Sequence, residues 1–155
     1  TRPESNEQNA TMMRALAAAS AAFAEGGYWV FLDGIFGPWF LPTVFASLPA
    51  DVYVDYVILE ADSEVARRRV ELRDGAAEPA RDQRVAKMHA AFDEERGFAR
   101  HRFATAARSG VAVRPGNGSA SSAVLGPQAL VRAVESALAA GSLRLEREAV
   151  TGGAR

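Results

Sequence analysis

Apolar residues recur at helical spacing from Met12 through Leu16 and Ala19 to Phe23, inside an alanine-rich stretch that favours helix. The spacing predicts a helix that starts at Ser5, where Ser5 and Gln8 have the separation of a capping box, and that ends at Gly26-Gly27. The pattern then changes. Tyr28 to Leu32 is a continuous run of β-branched, aromatic and aliphatic residues, too short for an amphipathic helix, and predicts a buried strand with Asp33 at its tip. A short helix follows from about Trp39 to Leu48, with Pro42 tolerable only within its first turn. Val52 to Leu59 reads as a second strand, and Asp62 or Ser63 then caps a helix running to Arg73.

Beyond the polar loop Asp74 to Ala80, Val85, Met88, His89 and Phe92 share one face of a helical region expected from about Arg81 to Arg108. Gly110 to Arg114 reads as a short third strand and Gly116 to Ser122 as a Gly/Ser-rich loop. Pro127 opens a last helix closed by Gly141, and residues 142–155 read as a tail that alternates weakly as Leu143-Arg144-Leu145 and is frayed after it. Strands joined by helical connections predict an α/β fold with a parallel sheet and right-handed crossovers, residues 1–141 forming one domain. A ligand in such a sheet sits beyond the carboxyl ends of the strands, where Asp33 and the turn Gly34 to Trp39 are expected.

Composition narrows the function. With 155 residues, 48% hydrophobic and 24% charged, the chain can bury a core, and no apolar run approaches the length of a membrane span. A net charge of -1 offers no global field for nucleic acid or an anionic bilayer. The absence of cysteine excludes disulfides and thiolate chemistry within these residues. It fits a cytoplasmic protein, as does the lack of a charged-then-apolar leader before Pro3. Lys87 is the only lysine and lies far from any glycine, so no Gly-x-x-x-x-Gly-Lys-[Ser/Thr] loop is present.

Asp33 has two readings. Asp-Gly ends strands and starts turns well, but a carboxylate at the tip of a strand apolar on both faces is costly unless it faces a pocket. Gly34, Gly37 and Pro38 either let backbone approach a ligand closely or serve tight-turn geometry. Arg69 and Arg73 fall within the arc of Val65, Ala66, Val70 and Leu72, where two guanidinium groups one turn apart can grip a polyanion. Alternatively they snorkel past the core edge or pair with Glu71 or Asp74. Arg81, Arg84 and Lys87 form a basic series beside a loop, which ordinarily is a solvated helix face. The two histidines, His89 and His101, are far apart in the sequence, and no metal constellation is visible.

The strings Pro-Glu-Ser-Asn-Glu-Gln-Asn at 3–9, Val-Phe-Leu-Asp-Gly-Ile-Phe-Gly-Pro-Trp-Phe at 30–40, Tyr-Val-Ile-Leu at 56–59 with Arg69 and Arg73 behind it, and Val-Ala-Lys-Met-His-Ala-Ala-Phe at 85–92 resemble bacterial P-loop small-molecule kinases. The relatives by pattern are chloramphenicol phosphotransferase, zeta toxin and the shikimate and gluconate kinases. The resemblance spans most of residues 3–110 and implies a P-loop kinase sheet from which the first βα unit and the acidic strand that follows it are missing. It implies ATP and Mg²⁺ as cofactors of the intact fold and a small-molecule hydroxyl as acceptor. Asp33, Gly37, Pro38 and Trp39 would then line the acceptor pocket with Glu4 and Asn9 near it, and Arg69, Arg73, Arg84 and Lys87 would face the nucleotide phosphates. Val113 to Asn117 departs from the acidic Asp-Thr turn of such relatives. Without the phosphate cradle, the chain alone is expected to be inactive. The rival expectation is a non-catalytic binding module that self-associates through an uncovered sheet edge at Tyr28 to Leu32. A different α/β transferase with Asp33 as general base is weaker, because no histidine or nucleophile is placed beside it.

Overall fold

The computed structural model of the chain describes residues 3–74, 79–105 and 127–151. The chain divides into two units, one made of Thr1–Val54 with Leu145–Arg155 and the other of Asp55–Arg144.

The first unit is built on α1, Pro3–Glu25. Its stop follows from the paired glycines. Gly27 adopts φ 80°, open to glycine at little cost, while Tyr28 N–H donates to Phe23 O at 3.0 Å and Gly27 N–H to Ala24 O at 2.9 Å. These are the two bonds of a Schellman closure. The helix forms, but it begins at Pro3, so Ser5 lies within it instead of capping it, and its buried face is Met13, Ala17, Ser20 and Ala21 rather than Met12, Leu16, Ala19 and Phe23. Apolar residues lie on more than one side of this alanine-rich helix, so spacing alone leaves the face undetermined. The element that packs on it decides. Here that element is α2, Leu41–Ser47, whose Val44 meets Met13 and Ala17, with Phe36, Phe40 and Leu48 packed around them. Small side chains at Ala17 and Ser20 allow the approach, and Ser20 Oγ satisfies itself on Leu16 O at 2.8 Å.

A short 3-10 turn, Pro38–Phe40, leads into α2, with Pro42 in the first helical turn where its missing N–H costs nothing. Between α1 and this turn the expectation of a buried strand is not met. Tyr28 to Asp33 belongs to no strand, and Trp29 and Phe31 are 88% and 86% exposed. A strand needs a neighbour for its N–H and C=O groups, and no described strand lies against this run.

Residues 145–151 pack on this unit. Leu145 is buried and donates its N–H to Val54 O at 2.9 Å, and α6, Arg147–Thr151, packs on α2. The Arg147 guanidinium donates to the carbonyls of Phe45, Leu48 and Pro49 around the end of α2 and lies 5.1 Å from the Phe45 ring centre. A cation there offsets the helix dipole and satisfies carbonyls that the helix leaves unpaired.

In the second unit two strands pair in parallel, β1 Ile58–Glu60 with β2 Arg102–Ala104, Ile58 opposite Arg102. The connection runs through α3, Ser63–Asp74, α4, Pro79–Glu94, and a 3-10 stretch, Arg96–His101. α3 and α4 pack on each other. Asp62 caps α3 through Oδ1, which accepts from Glu64 N–H at 2.9 Å, as the sequence predicts. The strand expected over Val52 to Leu59 is reduced to three residues at its end, preceded by an isolated antiparallel bridge between Asp55 and Arg144. The helix expected to reach Arg108 stops at Glu94, and β2 occupies its expected later part. α5, Pro127–Ala139, closes as predicted, with Gly141 at φ 65°. Leu143, in the weakly alternating start of the expected tail, is fully buried, and its carbonyl accepts from Tyr56 N–H at 3.0 Å. The expected strand Gly110 to Arg114 and loop Gly116 to Ser122 lie outside the described residues. Among the described residues no helix is long and apolar enough to cross a membrane.

Candidate functional site

Asp33, Gly37, Pro38 and Trp39, the residues expected to line an acceptor pocket, lie in the first unit on one segment. Asp33 is exposed at the end of the apolar run. Gly37 and Pro38 are buried, and Trp39 lies over Gly37 so closely that a Cβ at Gly37 would stand 2.1 Å from the indole Cζ2. Gly37 itself has φ -72° and ψ 152°, open to any residue, so glycine is required there by space and not by backbone freedom. The turn is anchored from both sides, since Phe36 and Phe40 pack against Met13, Ala17 and Val44. Trp39 and Phe40 also meet, with ring centres 5.9 Å apart.

Asn9 is exposed on α1 one helical turn before Met13, which places it on the stripe that runs toward the turn. Glu4 lies in the first turns of the same helix. The structure therefore carries Asp33, Gly37, Pro38 and Trp39 on one short segment seated beside the helix that bears Asn9 and Glu4.

The basic residues nominated for phosphate belong to the second unit. Arg69 and Arg73 are exposed on α3, and Leu72, assigned to the same arc, is 81% exposed. The expectation that these arginines lie within a packing face is thus corrected. α3 buries itself only partly, through Val65, Ala66 and Val70, and the arc drawn through Leu72 was too wide. Arg67 pairs with Glu71 one turn on, as an ordinary surface pair. Arg84 and Lys87 are exposed on α4. An open cavity of about 520 Å³ at the start of α5 is lined by Pro127, Gln128, Ala129 and Arg132 and contains none of the nominated residues. Among the described residues no group of three or more His, Asp or Glu side chains could hold a metal ion.

Two constellations escaped the sequence reading. His101, which the sequence shows only as a solitary histidine, is buried with both ring nitrogens engaged. Nδ1 bonds Tyr56 O at 2.9 Å, and Nε2 accepts from Arg100 Nε at 3.1 Å, which fixes a neutral ring protonated on Nδ1. Burial pushes the His101 pKa down, the Arg100 charge adds to this, and the bond to Tyr56 O and the charge of Asp55 oppose it. Burial likewise pushes the Tyr56 phenol up to about 12, with Arg102 opposing and Glu95 adding to the rise. Tyr56, Phe98 and His101 form a ring cluster with centres 5.7 to 6.0 Å apart.

The second constellation is Arg102 on β2. It reaches Glu60 on β1 at 2.6 Å, Asp93 on α4 at 3.5 Å, and the Phe92 and Glu95 carbonyls at the end of α4. One guanidinium thus ties both strands to the C-terminal end of a helix. Both of its terminal nitrogens are engaged by protein groups, which makes it a structural bolt. Only the alternation His101-Arg102-Phe103, buried-polar-buried, could have hinted at it in the sequence.

Comparison with protein-family models, with curated proteins and with solved structures gives no match for this chain. The kinase resemblance therefore stands on the residues quoted above.

Proposed function

We propose that this chain carries the acceptor side of an ATP-dependent phosphotransferase of P-loop kinase type, acting on a hydroxyl of a small molecule. The observation that supports this reading is Asp33, a solvent-open carboxylate held between the Schellman closure of α1 and the packed Gly37-Pro38-Trp39 turn. A carboxylate so placed can accept a hydrogen bond from a substrate hydroxyl, and the Trp39 ring on the turn that follows it in sequence can cover an apolar or ring-shaped body. In this reading Arg69, Arg73, Arg84 and Lys87 would supply positive charge toward the nucleotide phosphates, and Mg²⁺ would add charge neutralisation there. The phosphate cradle with its glycines and lysine is not among the 155 residues, so the chain by itself binds acceptor without transferring phosphoryl.

The test is a calorimetric titration of hydroxylated small molecules (amino alcohols, sugars and phenolic glycosides) into the purified chain, repeated with Asp33→Ala. Binding of at least one class, weakened about tenfold or more by Asp33→Ala, is expected, since a hydrogen bond to a charged group contributes roughly 1.5–3 kcal/mol. Indifference of every ligand to Asp33→Ala would refute the role of Asp33, and ATP hydrolysis by the chain alone would refute the division of labour.

A second reading is favoured by the exposure of Trp29 and Phe31: a non-catalytic module of the same fold that binds through the Tyr28 to Leu32 run.

A further inference from the structure

We infer that Tyr28 to Leu32 is a pairing surface for a second copy of this chain, the two runs associating antiparallel about a twofold axis at Val30. This rests on the second reading above and names its partner. The exposures along the run alternate, 69% at Tyr28, 88% at Trp29, 37% at Val30, 86% at Phe31 and 43% at Leu32. That is the period of a strand, with Trp29 and Phe31 on the open side and Val30 and Leu32 on the half-covered side. Among the described residues Trp29 to Ile35 make no backbone hydrogen bond, which leaves a row of donors and acceptors for a partner strand.

Self-pairing is complementary in this register. Val30 faces Val30 of the other copy, Tyr28 faces Leu32, and Trp29 faces Phe31 twice over, giving two aromatic cross-strand pairs on the open side. Charge selects the orientation. In the antiparallel pair each Asp33 stands opposite Gly27, and the two carboxylates lie about 20 Å apart at 3.4 Å per residue. A parallel in-register pair would set them side by side at about 5 Å, where like charges repel.

Area sets the strength. At about 200 Å² per aromatic side chain, the exposed parts of Tyr28, Trp29 and Phe31 offer about 500 Å² per copy. Two copies cover at most about 1,000 Å², the lower bound of a specific interface, so a weak, concentration-dependent dimer is expected.

Because the chain has no cysteine, single cysteines report the geometry. Under mild oxidation Val30→Cys is expected to give a covalent dimer, since facing Cα atoms at about 5 Å suit a disulfide, and Asp33→Cys is expected to stay monomeric. Sedimentation of the unmodified chain should show a concentration-dependent dimer. The double variant Trp29→Ser/Phe31→Ser, altered only at exposed positions, should dissociate about 100-fold more readily with unchanged circular dichroism. A wild-type chain that stays monomeric up to about 1 mM, where even a weak dimer populates, overturns the inference, as does equal cross-linking of the two cysteine variants. Binding of a hydrophobic dye separates the two readings. A monomer whose dye binding is lost in the double variant leaves the run a docking surface for some other partner, and a monomer that binds no dye removes both.

Discussion

Replacing Gly37 by alanine tests whether the turn beside Asp33 is held by packing. The added methyl would sit 2.1 to 2.3 Å from three atoms of the Trp39 ring, against about 3.5–4.0 Å for a relaxed carbon–carbon contact, so the ring must retreat by roughly 1.5 Å or more. The backbone at Gly37 tolerates alanine, and Phe36 and Phe40 hold the flanks against α1 and α2, leaving the indole as the part that yields. Trp39 is already 39% exposed, so the expected result is an indole swung toward solvent with a stability loss of about 1–2 kcal/mol, in the range of overpacked sites. In a Trp29→Phe background Trp39 is the only tryptophan, and its emission reports the change directly. A red shift of emission, a urea midpoint lowered by roughly 0.5–1 M and weaker acceptor binding are expected together. Unchanged emission and midpoint would show that Trp39 does not lie over Gly37, and the account of the turn would fail.

Three further outcomes follow from single side chains. Arg147→Ala should cost about 2–3 kcal/mol in equilibrium unfolding through the loss of the bonds to Phe45, Leu48 and Pro49, and Arg147→Lys should recover only part of it because an ammonium lacks the planar fork; equal stability of all three proteins would contradict the clamp. His101 is held neutral below its ordinary pKa, so the unfolded chain binds a proton that the folded chain refuses. Stability should be full above about pH 6.5 and fall as pH drops below it, by at most about 1.4 kcal/mol per unit, and a His101→Gln variant that keeps the same acid limb would assign the loss elsewhere. Gly27→Ala should destabilise by about 1 kcal/mol, because Gly27 holds φ 80° in the closure of α1, and a thermal midpoint unmoved by this change would place the cost elsewhere.

Local chemistry made several elements readable in advance. Gly26-Gly27 and Gly141 stop their helices where expected, Asp62 caps α3 through its own side chain, and Pro42 falls in a first turn, because each signal acts within a few residues of itself. The site is legible to the same degree. Asp33 and Gly37 to Trp39 share one segment by sequence adjacency, whereas the overlay of Trp39 on Gly37 and the neighbourhood of Asn9 require the fold.

What the sequence determined by itself is the glycine stops of α1 and α5, the Asp62 cap of α3, the strand-forming character of Tyr28 to Leu32 and the absence of a P-loop lysine within these residues. Tertiary structure alone decided which face of α1 is buried, that Leu143 and Leu145 are buried although their stretch alternates only weakly, and that His101 and Arg102 join Tyr56, Glu60 and Asp93 across more than forty or about ten residues of chain. The physical reason is range. A cap or glycine closure draws its free energy from neighbours in sequence, but burial and ion pairing draw theirs from whatever surface comes alongside. For the Tyr28 to Leu32 run no such surface lies within the described chain, and a strand-forming sequence without a partner stays uncovered.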